Sequence, residues 1–117
     1  MKKTIKKLDN NVIKALTAAC ETAKQWGIGF EWLTHTARYE HFPGSLMITC
    51  IFNTRAEMEY AVNNNFDRQL RQLIQTELLK AGIRVNDIRR HVRVDNEESC
   101  DMEDQGDWQA RLTRWKG

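Results

Sequence analysis

"FEWLTHTARYEHFPGSLMITCIFN", residues 30–53, decides what kind of fold this chain adopts. Aromatic and β-branched residues crowd the stretch, and Pro43-Gly44 punctuates it, so the pattern predicts a β-hairpin with strands near 30–41 and 45–53. In the second strand Leu46, Ile48, Cys50 and Phe52 share one face, while Met47, Thr49 and Ile51 share the other. Both faces carry apolar groups, which places that strand inside a sheet or against a partner. The first strand is more polar, with His35, Arg38, Glu40 and His41, and suits an edge.

Helices flank the hairpin. In "LDNNVIKALTAACETAKQWGIG", residues 8–29, Val12, Leu16, Ala19, Ala23 and Trp26 recur every three or four positions, with Cys20 beside the stripe. Asp9 or Asn10 is the expected N-cap and Gly27 the expected stop. "TRAE", residues 54–57, is a capping box that starts another helix. Asn63, Asn64 and Asn65 interrupt it, because asparagine side chains compete for backbone hydrogen bonds. "FDRQLRQLIQTELLKAG", residues 66–82, then carries Phe66, Leu70, Leu73, Ile74 and Leu78 on one side.

"IRVNDIRRHVRVDN" predicts extended chain at 83–86 and a third strand over 88–95, with Val92 and Val94 opposite His91, Arg93 and Asp95. The acidic run 95–107, seven acids and no base, is expected to be a loop. Asp107 then caps a short helix bearing Trp108, Leu112 and Trp115. The order α-β-β-α-β-α predicts one α+β domain over residues 1–117: an antiparallel sheet of about three strands with helices on one face.

Composition narrows the function. The 117 residues suffice for a core without staples. Eighteen basic against sixteen acidic residues leave a net charge of +2, too little to imply nucleic acid. Three cysteines, Cys20, Cys50 and Cys100, form no CxxC pair and suit a reducing compartment. No secretory signal and no membrane-length apolar run occurs, so a cytoplasmic location without membrane contact is expected.

His91, Cys100, Asp101, Glu103 and Asp104 are metal-ligand types, but their spacing matches neither a zinc pattern nor an EF-hand loop, so no metal site is expected. His35, His41 and His91 accompany no nucleophile elbow, P-loop or dinucleotide motif, so no catalytic residue and no cofactor is assigned. Arg89, Arg90, His91 and Arg93, with Arg84 nearby, form the candidate binding cluster, and no helix-turn-helix pair with a short turn is expected. The arginines of 89–93 are expected to neutralise the acids that follow. Met47 and Ile51 are the candidate dimer interface, because a sheet covered on one side leaves an apolar face for a second copy.

"KKLDN", "FEWLTHTARYEHFPGSLMITCIF", "DIRRHV" and "DNEESCDMEDQGDW" together resemble a group of small uncharacterised bacterial proteins often labelled Fis-family transcriptional regulators. The likeness runs along nearly the whole chain. Its most distinctive parts are Phe42, Pro43, Ser45 and Leu46, and then Asp95, Glu97, Glu98, Cys100, Gly106, Asp107 and Trp108. A second glycine usually stands where this chain has Gln105. The resemblance implies an accessory role of the kind carried on mobile gene cassettes such as those of integrons, and the label implies regulation. From the residues themselves the expected function is a non-enzymatic binding or interaction module acting as a homodimer, with a protein or small ligand as further partner. A nucleic-acid-binding regulator and a small enzyme are the alternatives, and nucleic acid is not the favoured partner.

Overall fold

A computed structural model describes residues 3–114, with side chains from residue 5 onward. The elements are α1 (Lys3–Lys24), β1 (Phe30–Thr36), β2 (Met47–Phe52), α2 (Arg55–Asn63), α3 (Phe66–Lys80), β3 (Val92–Asn96), α4 (Glu97–Asp104) and α5 (Trp108–Arg114). The fold is α+β in the order expected, with the second helical region divided into α2 and α3 and a further helix, α4, ahead of the last. α2 ends at Asn63, and Asn65 enters the left-handed region at φ 65°, so the asparagine run does break the helix.

β2 is the central strand. It pairs antiparallel with β1, Leu33 opposite Cys50, and parallel with β3, where Cys50 lies opposite Val94. The sheet is therefore mixed, not antiparallel. The reason lies in the connection: α2 and α3 intervene between β2 and β3, and a crossover through helices returns the chain in the same direction.

Val12, Leu16, Ala19 and Ala23 of α1 and Leu70, Ile74 and Leu78 of α3 are buried against Ile48, Cys50, Phe52 and Val92. Each large aliphatic or aromatic side chain placed there contributes roughly 1.5–3 kcal/mol. α1 starts earlier than expected, so Asp9 and Asn10 lie inside it and cap nothing.

Helices cover the second face as well. Trp32 and Asp95 are the cross-strand neighbours of Ile51 on its two sides. α5 touches both: the Trp108 ring meets Trp32 edge-on at 5.3 Å, and Arg111 holds Asp95. Ile51 is accordingly buried inside the single chain, at 0% exposure. Of the expected interface pair, Ile51 is thus unavailable to a second subunit, and only Met47 keeps exposed surface.

Three local expectations change. β1 stops at Thr36, and a 3₁₀ turn over Tyr39–His41 takes His41 off the strand. A second 3₁₀ turn, Ile88–Arg90, shortens β3 to Val92–Asn96. The acidic run is not a loop: Asn96 accepts a hydrogen bond from the Ser99 amide at 2.7 Å and starts α4. Gln105 (φ 51°) and Gly106 (φ 78°) then turn the chain, and Asp107 Oδ1 accepts from the Ala110 amide at 3.1 Å to cap α5. Trp115 lies outside the described residues.

Candidate functional site

A groove of about 390 Å³ separates the turn at Pro43–Met47 from the loop at 84–91. Ser45 sets the shape of the turn. Its hydroxyl donates to the Arg38 carbonyl at 2.7 Å and accepts from the Arg38 amide at 2.8 Å. The Ser45 and Leu46 amides bond back to His41 and Pro43, at 2.8 and 3.0 Å, across a cis Phe42–Pro43 peptide.

The opposite wall follows α3. Gly82, at φ 81°, lets the Ile83 amide reach the Leu78 carbonyl at 2.8 Å, and buried Ile83 and Val85 anchor the loop. Asp87 then accepts from the Arg89 amide at 3.1 Å and starts the 3₁₀ turn that presents Arg90.

His91 ties the two walls together. Its Nδ1–H donates to the Leu46 carbonyl at 2.6 Å, and its own carbonyl accepts from the Ile48 amide at 2.7 Å. The groove thus has an apolar floor of Leu46 and Val85, flanked by Pro43 and Met47, and a polar rim of Arg84, Asn86, Asp87 and Arg90. Both arginines are exposed, and among the described residues neither guanidinium makes a hydrogen bond or a close ion pair, although the Arg90 charge reaches Asp87.

Of the candidate cluster, Arg90 and His91 therefore meet in one place, while Arg89 and Arg93 do not join them. Arg89 grips Asp87 at 3.1 Å, and hydrogen bonds from Arg89 hold the Asp87 carboxyl below the usual carboxylate range. Arg93 lies further along β3, outside the groove lining, where its Nε donates to the Thr49 hydroxyl at 3.1 Å. Arg84 belongs to the site instead. Its signal was local charge, since residues 84–91 hold Arg84, Arg89 and Arg90 against Asp87 alone.

Arg93 attracts Asp95 as expected, but the hydrogen-bonded neutralisation of the acids of 95–104 comes from elsewhere. Arg111 chelates Asp95 through Nε and Nη2 at 2.6 and 3.0 Å, and its Nη1 donates to Asp104 at 2.9 Å. Arg114 holds Asp104 from the other side at 2.8 Å. Hydrogen bonding from Arg114, against the opposing effect of burial and with help from Arg111, keeps Asp104 below the usual carboxylate range. The Asp95 hydrogen bond raises the Arg111 guanidinium above its ordinary value despite burial. Glu98 caps α2 through the Arg55 amide at 3.1 Å, and Glu97 accepts from the Trp108 indole. The acidic stretch is a clamp for α5.

α4, a three-residue turn and α5 have the chain spacing of a helix-turn-helix, which the sequence did not suggest. Their charge opposes that use. α4 carries Glu97, Glu98, Asp101, Glu103 and Asp104, and Arg111 is buried in the clamp.

A second depression, about 340 Å³, lies between α1 and β1 and is lined by Cys20, Thr34 and His35 among others. Beside it the Tyr39 hydroxyl donates to Asp9, whose carboxylate also lies 3.6 Å from His35 Nε2. Burial first, then the hydrogen bond and charge of Asp9, push the Tyr39 hydroxyl up to about 12, so it is a donor and not a base. Burial likewise pushes the Cys50 thiol up to about 12, and raises the Cys100 thiol. Among the described residues, no group of three or more His, Cys, Asp or Glu side chains could hold a metal ion, and no helix is long and apolar enough to cross a membrane.

Compared with protein families, with curated proteins and with solved structures, the chain matches none.

Proposed function

We propose that this chain is a non-enzymatic binding module whose ligand seats in the groove between the Pro43–Met47 turn and the 84–91 loop. One observation carries the proposal: that concave site combines an apolar floor with the exposed guanidinium groups of Arg84 and Arg90, neither of which makes a hydrogen bond or close ion pair in the described chain. Small-molecule sites have this make-up, mostly apolar with a few placed polar groups. The reactive side chains support binding over chemistry. Cys50 and Cys100 are buried thiols, Tyr39 is committed to Asp9, and the His91 Nδ1 proton is committed to the Leu46 carbonyl.

The test is a fragment screen followed by amide chemical shifts in the ¹⁵N-labelled protein. Hits should move the amides of Gly44, Ser45, Asn86 and Arg90, and should be recovered chemically unchanged. Met47→Trp, which fills the groove from β2, should abolish those shifts while the remaining spectrum stays that of the folded chain. Hits that cluster at the α1–β1 depression and survive Met47→Trp would refute the proposal.

A further inference from the structure

We infer that the groove's ligand is a small organic anion, a carboxylate or phosphate monoester with a short apolar body. The inference rests on the groove being the binding site, and it starts from local charge. Asp87 is the one acid between residues 84 and 91, and it is already matched by Arg89 through Nε and Nη2 at 3.1 and 3.2 Å. Arg84 and Arg90 remain on one rim with no hydrogen bond or close ion pair to either guanidinium among the described residues; Asp87, which Arg90 also attracts, offsets only one of the three positive charges. A guanidinium presents paired N–H donors in a planar fork that matches carboxylate and phosphate oxygens.

The acidic part of the molecule does not cancel this pair. The groove lies at the start of β3, beside His91, whereas α4 begins beyond its end at Asn96. The strand between, Val92 to Asn96, spans about 13 Å at its rise per residue. Exposed charges at that separation are largely screened, the screening length being about 10 Å at 0.1 M salt. Two of the α4 acids, Glu97 and Asp104, are moreover already bound, to Trp108 and to Arg111 and Arg114.

Size and floor define the rest of the ligand. At about 390 Å³ the groove is near the small end of ligand sites. At about 30 Å³ per water-sized group, it accommodates on the order of ten non-hydrogen atoms. Pro43, Leu46, Met47 and Val85 offer hydrocarbon to the body of such a molecule, and Asn86 adds an amide that both donates and accepts. A narrow groove with one cationic rim favours a single anionic head over a polyanionic strand, which needs a continuous basic track.

The experiment follows groove amide shifts in the wild type, Arg84→Gln and Arg90→Gln with four probes: hexanoate, phenyl phosphate, uncharged hexanamide, and a short single-stranded oligonucleotide. Both arginines are exposed, so the variants keep the wild-type fold, and their spectra outside the groove verify this. Hexanoate or phenyl phosphate should bind in the groove, and which binds more tightly separates carboxylate from phosphate. Hexanamide should bind about tenfold more weakly than hexanoate, and each arginine variant should weaken the anions about tenfold. If hexanamide binds the groove as well as hexanoate does, in wild type and variants alike, the anion class is wrong while the groove remains the site. If neither the anions nor hexanamide shift the groove, both readings fail. An oligonucleotide that shifts the groove more strongly than either anion, and loses this in both variants, would replace a small anion by nucleic acid.

Discussion

Replacing Arg111 by methionine should be among the most damaging single changes in this chain. The side chain is 5% exposed and holds three acids, but the loss is not shared equally among them. Glu103 is 58% exposed, so water takes over its half of the contact at little cost. Asp104 keeps its bond to Arg114 at 2.8 Å. Asp95 is hit hardest: it is 3% exposed, both of its contacts to the guanidinium disappear together, and the Asn96 amide and the charge of Arg93 are what remain to it. Breaking a buried pair from one side leaves an uncompensated charge and costs about 3–5 kcal/mol. Against a total stability of about 5–15 kcal/mol for a domain, that is a large share. The assay is guanidinium unfolding followed by far-ultraviolet circular dichroism, with tryptophan fluorescence reporting the Trp32–Trp108 contact. Because the cost comes from a stranded charge, Asp95→Asn should rescue Arg111→Met, and the double variant should be more stable than Arg111→Met alone. The amide keeps Oδ1 as acceptor for the Asn96 amide, which it bonds at 2.9 Å. A loss below about 1 kcal/mol in Arg111→Met, or a double variant as unstable as the sum of its singles, would refute the reasoning.

Gly29→Ala should destabilise the domain by about 1–3 kcal/mol, because the position has φ 84° and a Cβ there would lie 2.4 Å from Glu57 Oε2. Unfolding midpoints of the variant check this, and an unchanged midpoint would contradict both the backbone strain and the clash with Glu57. Asp104 carries its contribution above the ordinary carboxylate range and loses it as pH falls through its depressed folded value. The denaturation midpoint of the wild type should therefore fall more steeply between about pH 4 and pH 2 than that of Asp104→Asn, and parallel curves would contradict the assignment. Among the three thiols, Cys20 alone has surface exposure, so a disulfide reagent at pH 8 should titrate one cysteine quickly and Cys50 and Cys100 only after unfolding.

The parts of this fold visible in the sequence are those set by neighbours along the chain. Val12, Leu16, Ala19 and Ala23 repeat with the helical period and are buried as a stripe, and alternation in β2 correctly separates Ile48, Cys50 and Phe52 from Met47, Thr49 and Ile51. The capping box also forms, with the Glu57 amide donating to the Thr54 hydroxyl at 3.1 Å, although the Glu57 carboxylate meets that same hydroxyl instead of the Thr54 amide. Two misses were local signals overridden by composition. Asn96 followed by Glu97 and Glu98 is a helix start with acids in the first turn, but the acidic run suggested solvated loop. Helices between β2 and β3 are the mark of a parallel crossover, but the hairpin drew β3 into the same antiparallel scheme.

The candidate site was less legible because its halves lie far apart in sequence. His91 meets Leu46 across 45 positions, and no spacing rule reaches that distance. Arg90 and His91 could be named from the sequence, yet the wall they face could not. Arg111 was missed for the same reason. It stands 16 residues after Asp95, while Arg89 to Arg93 stood closer to the acids and looked like their partners.

The parallel pairing of β2 with β3 also governs when the chain can fold as it leaves the ribosome. β2 is complete at Phe52, but Val92, where its parallel neighbour begins, is 40 residues downstream. At roughly 5–20 residues per second, translation needs about 2–8 s to supply it. For that interval β2 has one neighbour in place of two, and the face bearing Ile51 has no cover at all, because Trp108 and Arg111 are later still. An unpaired strand with apolar groups on both faces is a template for joining other chains. The face bearing Ile51 is therefore open to misassociation until Trp108 and Arg111 have been supplied.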